Sequence, residues 1–477
     1  MVRTNNKPND NLALMLIGEN IMQIEKELRR IAEYQNSLLP RHEKRTEEAL
    51  DVIVNDAIDA YKNKKIDFKS FMRLNLKQNG KNRQVIMYRP FSPEELLCIF
   101  LKRMLDRKFH ISYPNRNEYI RTLFDTTAAI KDMSDYTIFK FDFSDFFNSV
   151  SSEYVYYKYI QRATLERYQD QLLLDFVHAT QYTYAGLNTS NILCEIIAQD
   201  FDQCLIQRFS NHGVILYKRY IDDGIIILNR YVSQSDCLAL INDVIKDVFF
   251  ASLNFKFASC RTALNLSKVK HIAGRHLFVG GSASTFDFLG YEFELTKVKK
   301  GKLEKTAFRY GITQAKIDKY TQKVEGIVKE YAATPHKDIE LLRLRIKAFT
   351  HRSVYQINRY KSVIWKNKGF IANYCELRFR MNSLTSSTEN FLKNVVLKAF
   401  VNQGVPLPYF LKGNRNESIY SLYNNMQNYR TQLFVELIGI NLETLKKMCK
   451  QIGIDVGSEK GYDGLVRDYL IKVKVGH

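Results

Sequence analysis

Apolar positions recur at helical spacing across residues 11–63, most clearly in "NIMQIEKELRRIAEYQNSLL" and "TEEALDVIVNDAIDAY", and predict two helices there. A short basic stretch, "LKQNGKNRQVIMYRP", reads as a hairpin turning at Asn79-Gly80. In "SPEELLCIFLKRMLDRKF", Ser92 stands as an N-cap and Pro93 as the first helical residue, so another helix follows. "YTIFKFDFSDFFNSV" alternates like a strand and then breaks. Helical spacing dominates 152–210, strand-like runs return at 213–229 and 286–295, and from about 313 the pattern is mostly helical to the end. No internal repeat or low-complexity linker interrupts this order. Mixed strands and helices followed by a helical tail define the fold class as α+β with an all-α C-terminal domain.

Charge narrows the partners. The 477 residues carry 71 Lys and Arg against 51 Asp and Glu, a formal net charge of +20. That excess favours a polyanion, either nucleic acid or an anionic membrane surface. No stretch approaches the roughly 18 uninterrupted apolar residues a spanning helix needs, and the polar start "MVRTNNKPND" lacks a signal-peptide core. The seven cysteines are scattered, odd in number and without a CxxC pair. They speak against a disulfide framework or zinc site and for a reducing compartment, with most of them buried as small apolar residues.

Within "RYIDDGIIIL", Asp222 and Asp223 lie side by side in an apolar run. Two buried like charges need neutralisation. Asp-Gly between apolar stretches predicts a hairpin turn, and a divalent metal held at that turn is compatible with it. Phosphoryl transfer by two metals needs carboxylates from separate elements. "FKFDFSDFF" supplies Asp142 at a strand end, flanked by aromatics; taken alone, Asp142 and Asp145 would simply cap the following helix.

Asp-x-x-x-Phe-Phe followed by Tyr-x-Asp-Asp resembles motifs A and C of reverse transcriptases. "LNLSK" (264–268) resembles motif D, with Lys268 as its lysine, and "FDFLGYEF" (286–293) resembles motif E, the primer grip. "GKNRQVI" (80–86) resembles the fingers hairpin that holds the incoming triphosphate. Motif B departs from the pattern: "AGLNTSNILCEIIAQ" (185–199) keeps Gly186, Leu187 and Ser190 but lacks the proline and second glycine. That departure fits an enzyme with a restricted or dedicated template. "SYPNRNEYIRTLF" (112–124) and the long helical tail are most similar to bacterial abortive-infection and defence-associated reverse transcriptases.

The resemblance implies a right-hand polymerase: an N-terminal helical region (1–74), fingers (75–137), the motif A palm strand (138–150), fingers and palm helices (151–185), palm motifs B to E (186–295), a thumb and basic helical region (296–375) and a C-terminal helical domain (376–477). It implies an RNA-directed DNA polymerase using dNTPs and two Mg2+ or Mn2+ ions. Asp142, Asp222 and Asp223 would be catalytic and, with the Phe143 carbonyl, hold the metals. Lys81 and Arg83 would neutralise the triphosphate, Lys268 would protonate the pyrophosphate, and Phe147, five residues after Asp142, would pack under the sugar of the dNTP. Phe146 is the alternative, and on a strand the two rings would face opposite ways. Phe288, Leu289, Gly290 and Tyr291 would grip the nucleic acid. The family branch further implies antiphage defence, a noncoding RNA template, self-assembly into a homo-oligomer, a bacterial cytoplasmic location and priming on a protein tyrosine, with Tyr34 a candidate.

A second surface comes from composition. "LLRLRIKAFTHRSVYQINRYKSVIWKNKGF" (341–370) holds Arg343, Arg345, Lys347, Arg352, Arg359, Lys361, Lys366 and Lys368, interleaved with Phe349, Tyr355, Tyr360 and Trp365, and has no Asp or Glu. Basic side chains suit phosphates and aromatics stack on unpaired bases; the competing reading is a helix with its aromatics in the core. "KVKKGKLEK" (297–305) reads as a basic loop. Two other functions stay open: an RNA-dependent RNA polymerase, separated by sugar choice, and a non-catalytic RNA-binding scaffold, which would have no need of Asp142 and Asp222 together.

Overall fold

The computed structural model describes residues 9–39, 43–78, 81–250, 258–359, 362–413, 419–457 and 460–475, with the backbone alone for 9–20, 77–78, 81–83, 358–359 and 362. The fold mixes helices and strands. Its contacts separate the chain into two interleaved units: 1–114, 139–226 and 232–269 form the first, and 115–138, 227–231 and 270–477 the second.

In the first unit the expected N-terminal helices run Asn9–Leu38 and Glu47–Lys62, the latter capped by Thr46, whose hydroxyl accepts from Ala49 N. Strands β1 (Met72–Gln78) and β2 (Lys81–Met87) pair antiparallel with Gln78 opposite Lys81; the expected Asn79-Gly80 turn lies outside the described residues. Ser92 caps the helix Pro93–Lys108, as the sequence predicts. Strand β3 (Thr137–Asp142) is buried at all six positions, because it is central in its sheet and both faces meet apolar side chains. Beside it lies β5 (Asp223–Leu228) and, beyond that, β4 (Val214–Tyr220). The largely buried helix Asn188–Phe209 and the helix Gln234–Phe249 complete this core, where Phe143 packs on Phe146, Phe201 and Phe249. Gly186 is fixed by packing: a Cβ there would come 2.3 Å from the Ile86 carbonyl oxygen of β2.

The second unit holds β6 (Lys270–Ala273), then an antiparallel sheet of β7 (Ser284–Phe288), β8 (Tyr291–Lys300) and β9 (Leu303–Ile312). The helix Arg116–Ile130 sets Phe124 against Tyr291, Phe293 and Tyr310 of this sheet. The basic stretch 297–305 is therefore the β8–β9 hairpin and not a loop. A second correction concerns 341–370. Helix ends at Thr350, and β10 (Arg352–Arg359) and β11 (Ser362–Lys368) form a hairpin in which Tyr355 faces Lys366. A third is that the C-terminal region is not all helical: β12 (Thr431–Phe434) pairs parallel with β10. Leu344 and Ala348, from the helix before β10, share a core with Phe434, Leu445, Leu465 and Tyr469, so burial of these side chains ties the tail to the preceding segment. All seven cysteines are free, six of them buried, with Cys204 half-buried.

Candidate carboxylate site

The end of β3 and the β4–β5 connection meet in the first unit. The connection turns two residues earlier than Asp223-Gly224 predicts. Strand β4 ends at Tyr220 and β5 begins at Asp223, so Ile221 and Asp222 form the turn, with Ile221 at φ +60. Gly224 lies inside β5 because a Cβ there would stand 2.2 Å from the Phe141 ring. The pairing carries across the strand ends: Phe143 N donates to Asp222 O at 3.1 Å. Beyond β3, Asn265 N donates to Asp142 O at 2.7 Å and Ser144 N to Ala263 O at 2.8 Å, which seats "LNLSK" against the same strand end.

Asp142 is 2 % exposed. Its Oδ2 accepts from Lys268 Nζ at 2.8 Å, and Asn265 Nδ2 lies 3.5 Å from Oδ1. Lys140 Nζ, on a buried side chain, stands 4.0 Å from Asp223 Oδ1. Burial pushes the Asp223 carboxyl up to about 7; Lys140 opposes the shift, while the charges of Asp222 and Asp142 add to it. Partial burial lowers the affinity of Lys268 for its proton, but the hydrogen bond and charge of Asp142 outweigh it and hold the ammonium above the usual lysine range.

Neither aspartate of "DFSD" caps a helix. Asp145 stands before the turn Phe146–Ser149 with φ +45 and makes no side-chain cap; its Oδ1 accepts from Asn148 Nδ2 at 2.8 Å. Phe146 and Phe147 lie on this helical turn and not on a strand. Phe146 is 3 % exposed and stacked on Phe143, whereas Phe147 is half-buried. Among the described residues, no three His, Cys, Asp or Glu side chains form a ready-made metal-ligand group. The side chains of Lys81 and Arg83 lie outside the described residues.

Two residues of the site were not picked out from the sequence. Lys140 is the one cation within a buried apolar strand, and that anomaly was its signal. Arg219 is 6 % exposed and donates to both carboxylate oxygens of Asp202 (2.8 and 3.0 Å), to Glu195 (3.0 Å) and to the Ile221 carbonyl (2.9 Å). Glu195 and Asp202, seven residues apart on one helix face, were the matching signal.

In the second unit, Leu289 and Gly290 form the β7–β8 turn, and Phe288 and Tyr291 beside it are fully buried. As nucleic-acid contacts those two rings are therefore corrected to core residues. Arg116 fixes the turn, donating to Leu289 O at 2.7 Å and standing 5.1 Å from the centre of the Tyr291 ring. Arg345 is a second correction: it is buried, pairs with Glu330 at 2.9 Å and donates to Lys472 O, so it braces the fold. Arg343 pairs with Glu340 at 2.6 Å. Lys366 is half-buried, and Arg352 stacks on Tyr429. Lys361 and the Arg359 side chain lie outside the described residues.

Among the described residues, no helix is long and apolar enough to cross a membrane. No protein-family model and no curated protein matches the chain. Among solved structures it is similar to an apo telomerase from Candida tropicalis truncated from its C-terminal domain, at 13 % identity and a TM-score of 0.31, over 48 % of this chain and 53 % of that one. The chain spans about half the length of that structure.

Proposed function

We propose that the chain is a nucleotidyltransferase that synthesises DNA from dNTPs on an RNA template, with Asp142, Asp222 and Asp223 as its catalytic carboxylates. One observation carries the reading: two strand ends meet so that Phe143 N donates to Asp222 O at 3.1 Å, and Lys140, two residues before Asp142, stands 4.0 Å from Asp223 Oδ1. Carboxylates from separate elements at one point are what two-metal phosphoryl transfer requires.

The donor set fits Mg2+ or Mn2+. It is all oxygen, and burial together with neighbouring negative charge already drives Asp223 to hold a proton. Asp142, Asp222, Asp223 and the Phe143 carbonyl would hold two ions. Such ions, when bound, acidify the primer hydroxyl and offset the charge of the departing pyrophosphate. Lys268, half exposed on Asp142, supplies an ammonium that can turn to the pyrophosphate and donate a proton. Phe147 walls the sugar site. In this reading β1–β2 with Lys81 and Arg83 serves as fingers, β3–β5 as palm and the helices from Gln314 as thumb. A dedicated noncoding RNA template, tyrosine priming, self-assembly and a role in bacterial antiphage defence are the finer parts of the same proposal.

Primer extension with dNTPs and Mg2+ on a defined RNA template tests it. Asp142→Asn and Asp222→Asn keep side-chain shape, lose the charge and should incorporate nothing while folded. A folded variant that extends at near the wild-type rate overturns the assignment. Mg2+ should also raise the melting temperature of wild type more than that of Asp222→Asn, and an equal rise counts against the site.

A further inference from the structure

The second unit carries a stack of guanidinium groups and rings. Arg352 Cζ lies 3.8 Å and Arg378 Cζ 3.9 Å from the centre of the Tyr429 ring. Both are stacking distances, and two guanidinium groups cannot share one face of a ring that closely, so Tyr429 lies between them. Arg378 Cζ is 4.4 Å from the centre of the Phe379 ring, and Arg121 Cζ stands 5.6 Å from the same ring. The close layers therefore run Arg352, Tyr429, Arg378, Phe379, and Phe379, 54 % exposed, ends the stack.

The charges along the stack are unevenly answered. Arg121 pairs with Glu376 at 3.0 Å, and the neighbouring Arg380 pairs with Asp125 at 2.6 Å. Among the described residues the Arg352 side chain donates through Nε, to Thr431 Oγ1 at 2.6 Å, and the Nε atoms of Arg378 and Arg380 are buried without a hydrogen-bond partner. Among the described residues neither Arg352 nor Arg378 has a carboxylate partner. Arg430, next to Tyr429, is exposed. A purely structural arginine layer would be closed by carboxylates, as Arg121 and Arg380 are. Here both faces of Tyr429 and one face of Phe379 are filled, while the terminal N–H groups of Arg352 and Arg378, which suit phosphate oxygens, are left to an outside acceptor.

We propose that this stack is a binding site for single-stranded nucleic acid, with phosphates at Arg352 and Arg378 and an unpaired base on Phe379. Unpaired bases offer the planar face that a ring at the end of a stack can take up, whereas a duplex keeps its bases paired and covered. The site stands apart from the carboxylate chemistry and needs no divalent ion.

The test uses the full-length protein in EDTA, with a fluorescent twelve-nucleotide oligouridine read by anisotropy and a 4-thiouridine version for photo-crosslinking. The oligouridine should crosslink to the peptide bearing Phe379 or to that bearing Tyr429. Phe379→Ala should weaken binding about tenfold. Arg352→Gln with Arg378→Gln should lower the slope of log affinity against log salt by about one to two units. Unlabelled single strand should compete and duplex of the same sequence should not. Unchanged affinity and slope in the variants overturns the site, as do crosslinks confined elsewhere, equal competition by duplex, or stronger displacement by an acidic peptide. If the double variant does not fold, the crosslink map of wild type decides. Because no incorporation is measured, a failed polymerase assay leaves this result independent.

Discussion

Arg219 Nη1 donates to the carbonyl oxygen of Ile221 at 2.9 Å, and Ile221 is held at φ +60, one residue before Asp222. A β-branched residue in that region is strained, at a cost of order 1–3 kcal/mol, and persists only where its surroundings over-determine it. The surroundings here are the fork of Arg219 on Asp202 and Glu195, itself anchored to the helix Asn188–Phe209. Arg219→Lys keeps the charge but cannot reach all of these acceptors. It should lower stability by about 1–3 kcal/mol in urea unfolding and reduce nucleotide incorporation more than that loss explains. Arg219→Ala leaves the buried Glu195 carboxylate without its cation, while half-buried Asp202 keeps the Tyr217 hydroxyl at 2.6 Å, and should cost about 3–5 kcal/mol. An Arg219→Lys variant with wild-type incorporation would show that the turn holds itself.

Gly224→Ala tests the packing behind the same turn. The added methyl meets the Phe141 ring at 2.2 Å, so a buried strand or a buried ring must move. Overpacking of this kind costs about 1–3 kcal/mol. The denaturation midpoint should fall, and Phe141→Leu in the same chain should restore part of it. A midpoint that does not move in Gly224→Ala would show that the two strands adjust freely.

The placement of Asp142 and Asp223 at strand ends was legible because the apolar and aromatic runs beside them marked the strands. The turn was misplaced by two residues for a physical reason. Asp223-Gly224 has the composition of a turn, but its glycine answers to the Phe141 ring, a contact between strands that no local pattern records. The hairpin at 352–368 was hidden in a similar way. Val354, Ile357, Val363, Ile364 and Trp365 have strand character, yet the basic residues among them mimic a helix with one charged face. Strand β12 is four residues long and exists only because β10 offers it an edge. Around Phe-Leu-Gly-Tyr the sequence offered one strand-like run, 286–295, and only pairing and packing against Phe124 and Arg116 decided that it turns at Leu289-Gly290 and that Tyr291 is core.

Acid should weaken the second unit through His351. This imidazole is 7 % exposed, and burial pushes its pKa down to about 4, with the charges of Lys347 and Arg430 acting in the same direction. The unfolded chain, near 6.5, takes up the proton first. His351 therefore contributes its full stability above about pH 6.5, and that contribution is lost as pH falls towards 4. The loss is at most about 3 kcal/mol. Urea unfolding at pH 7 and pH 4.5 should show a smaller drop for His351→Gln than for wild type. Equal drops would place the acid sensitivity on other groups.

Under the proposed function, sugar choice would rest on the neighbours Phe146 and Phe147. Phe146 is stacked on Phe143 with ring centres 4.9 Å apart and lies near Phe249, so its ring is part of the core beneath β3. Phe147 is half-buried on the same helical turn, and its carbonyl accepts from Thr183 Oγ1 at 2.6 Å, which fixes the backbone that presents the ring. The two rings diverge because successive residues of a helical turn point about 100° apart, so one can be core while the other lines a site. A ribose 2′-hydroxyl placed against Phe147 would be overpacked, at about 1–3 kcal/mol, and would lose water without gaining a partner, at about another 1–3 kcal/mol. Together these predict discrimination against ribonucleotides of roughly 10²–10⁴. Phe147→Val should raise ribonucleotide incorporation far more than it lowers dNTP incorporation, with little change in melting temperature. Phe146→Val should instead lower the melting temperature and leave the ratio of the two substrates where it was. If Phe146→Val shifts the ratio and Phe147→Val does not, the roles are exchanged. A wild type that takes ribonucleotides as readily as deoxyribonucleotides overturns DNA synthesis and favours an RNA polymerase built on the same carboxylates.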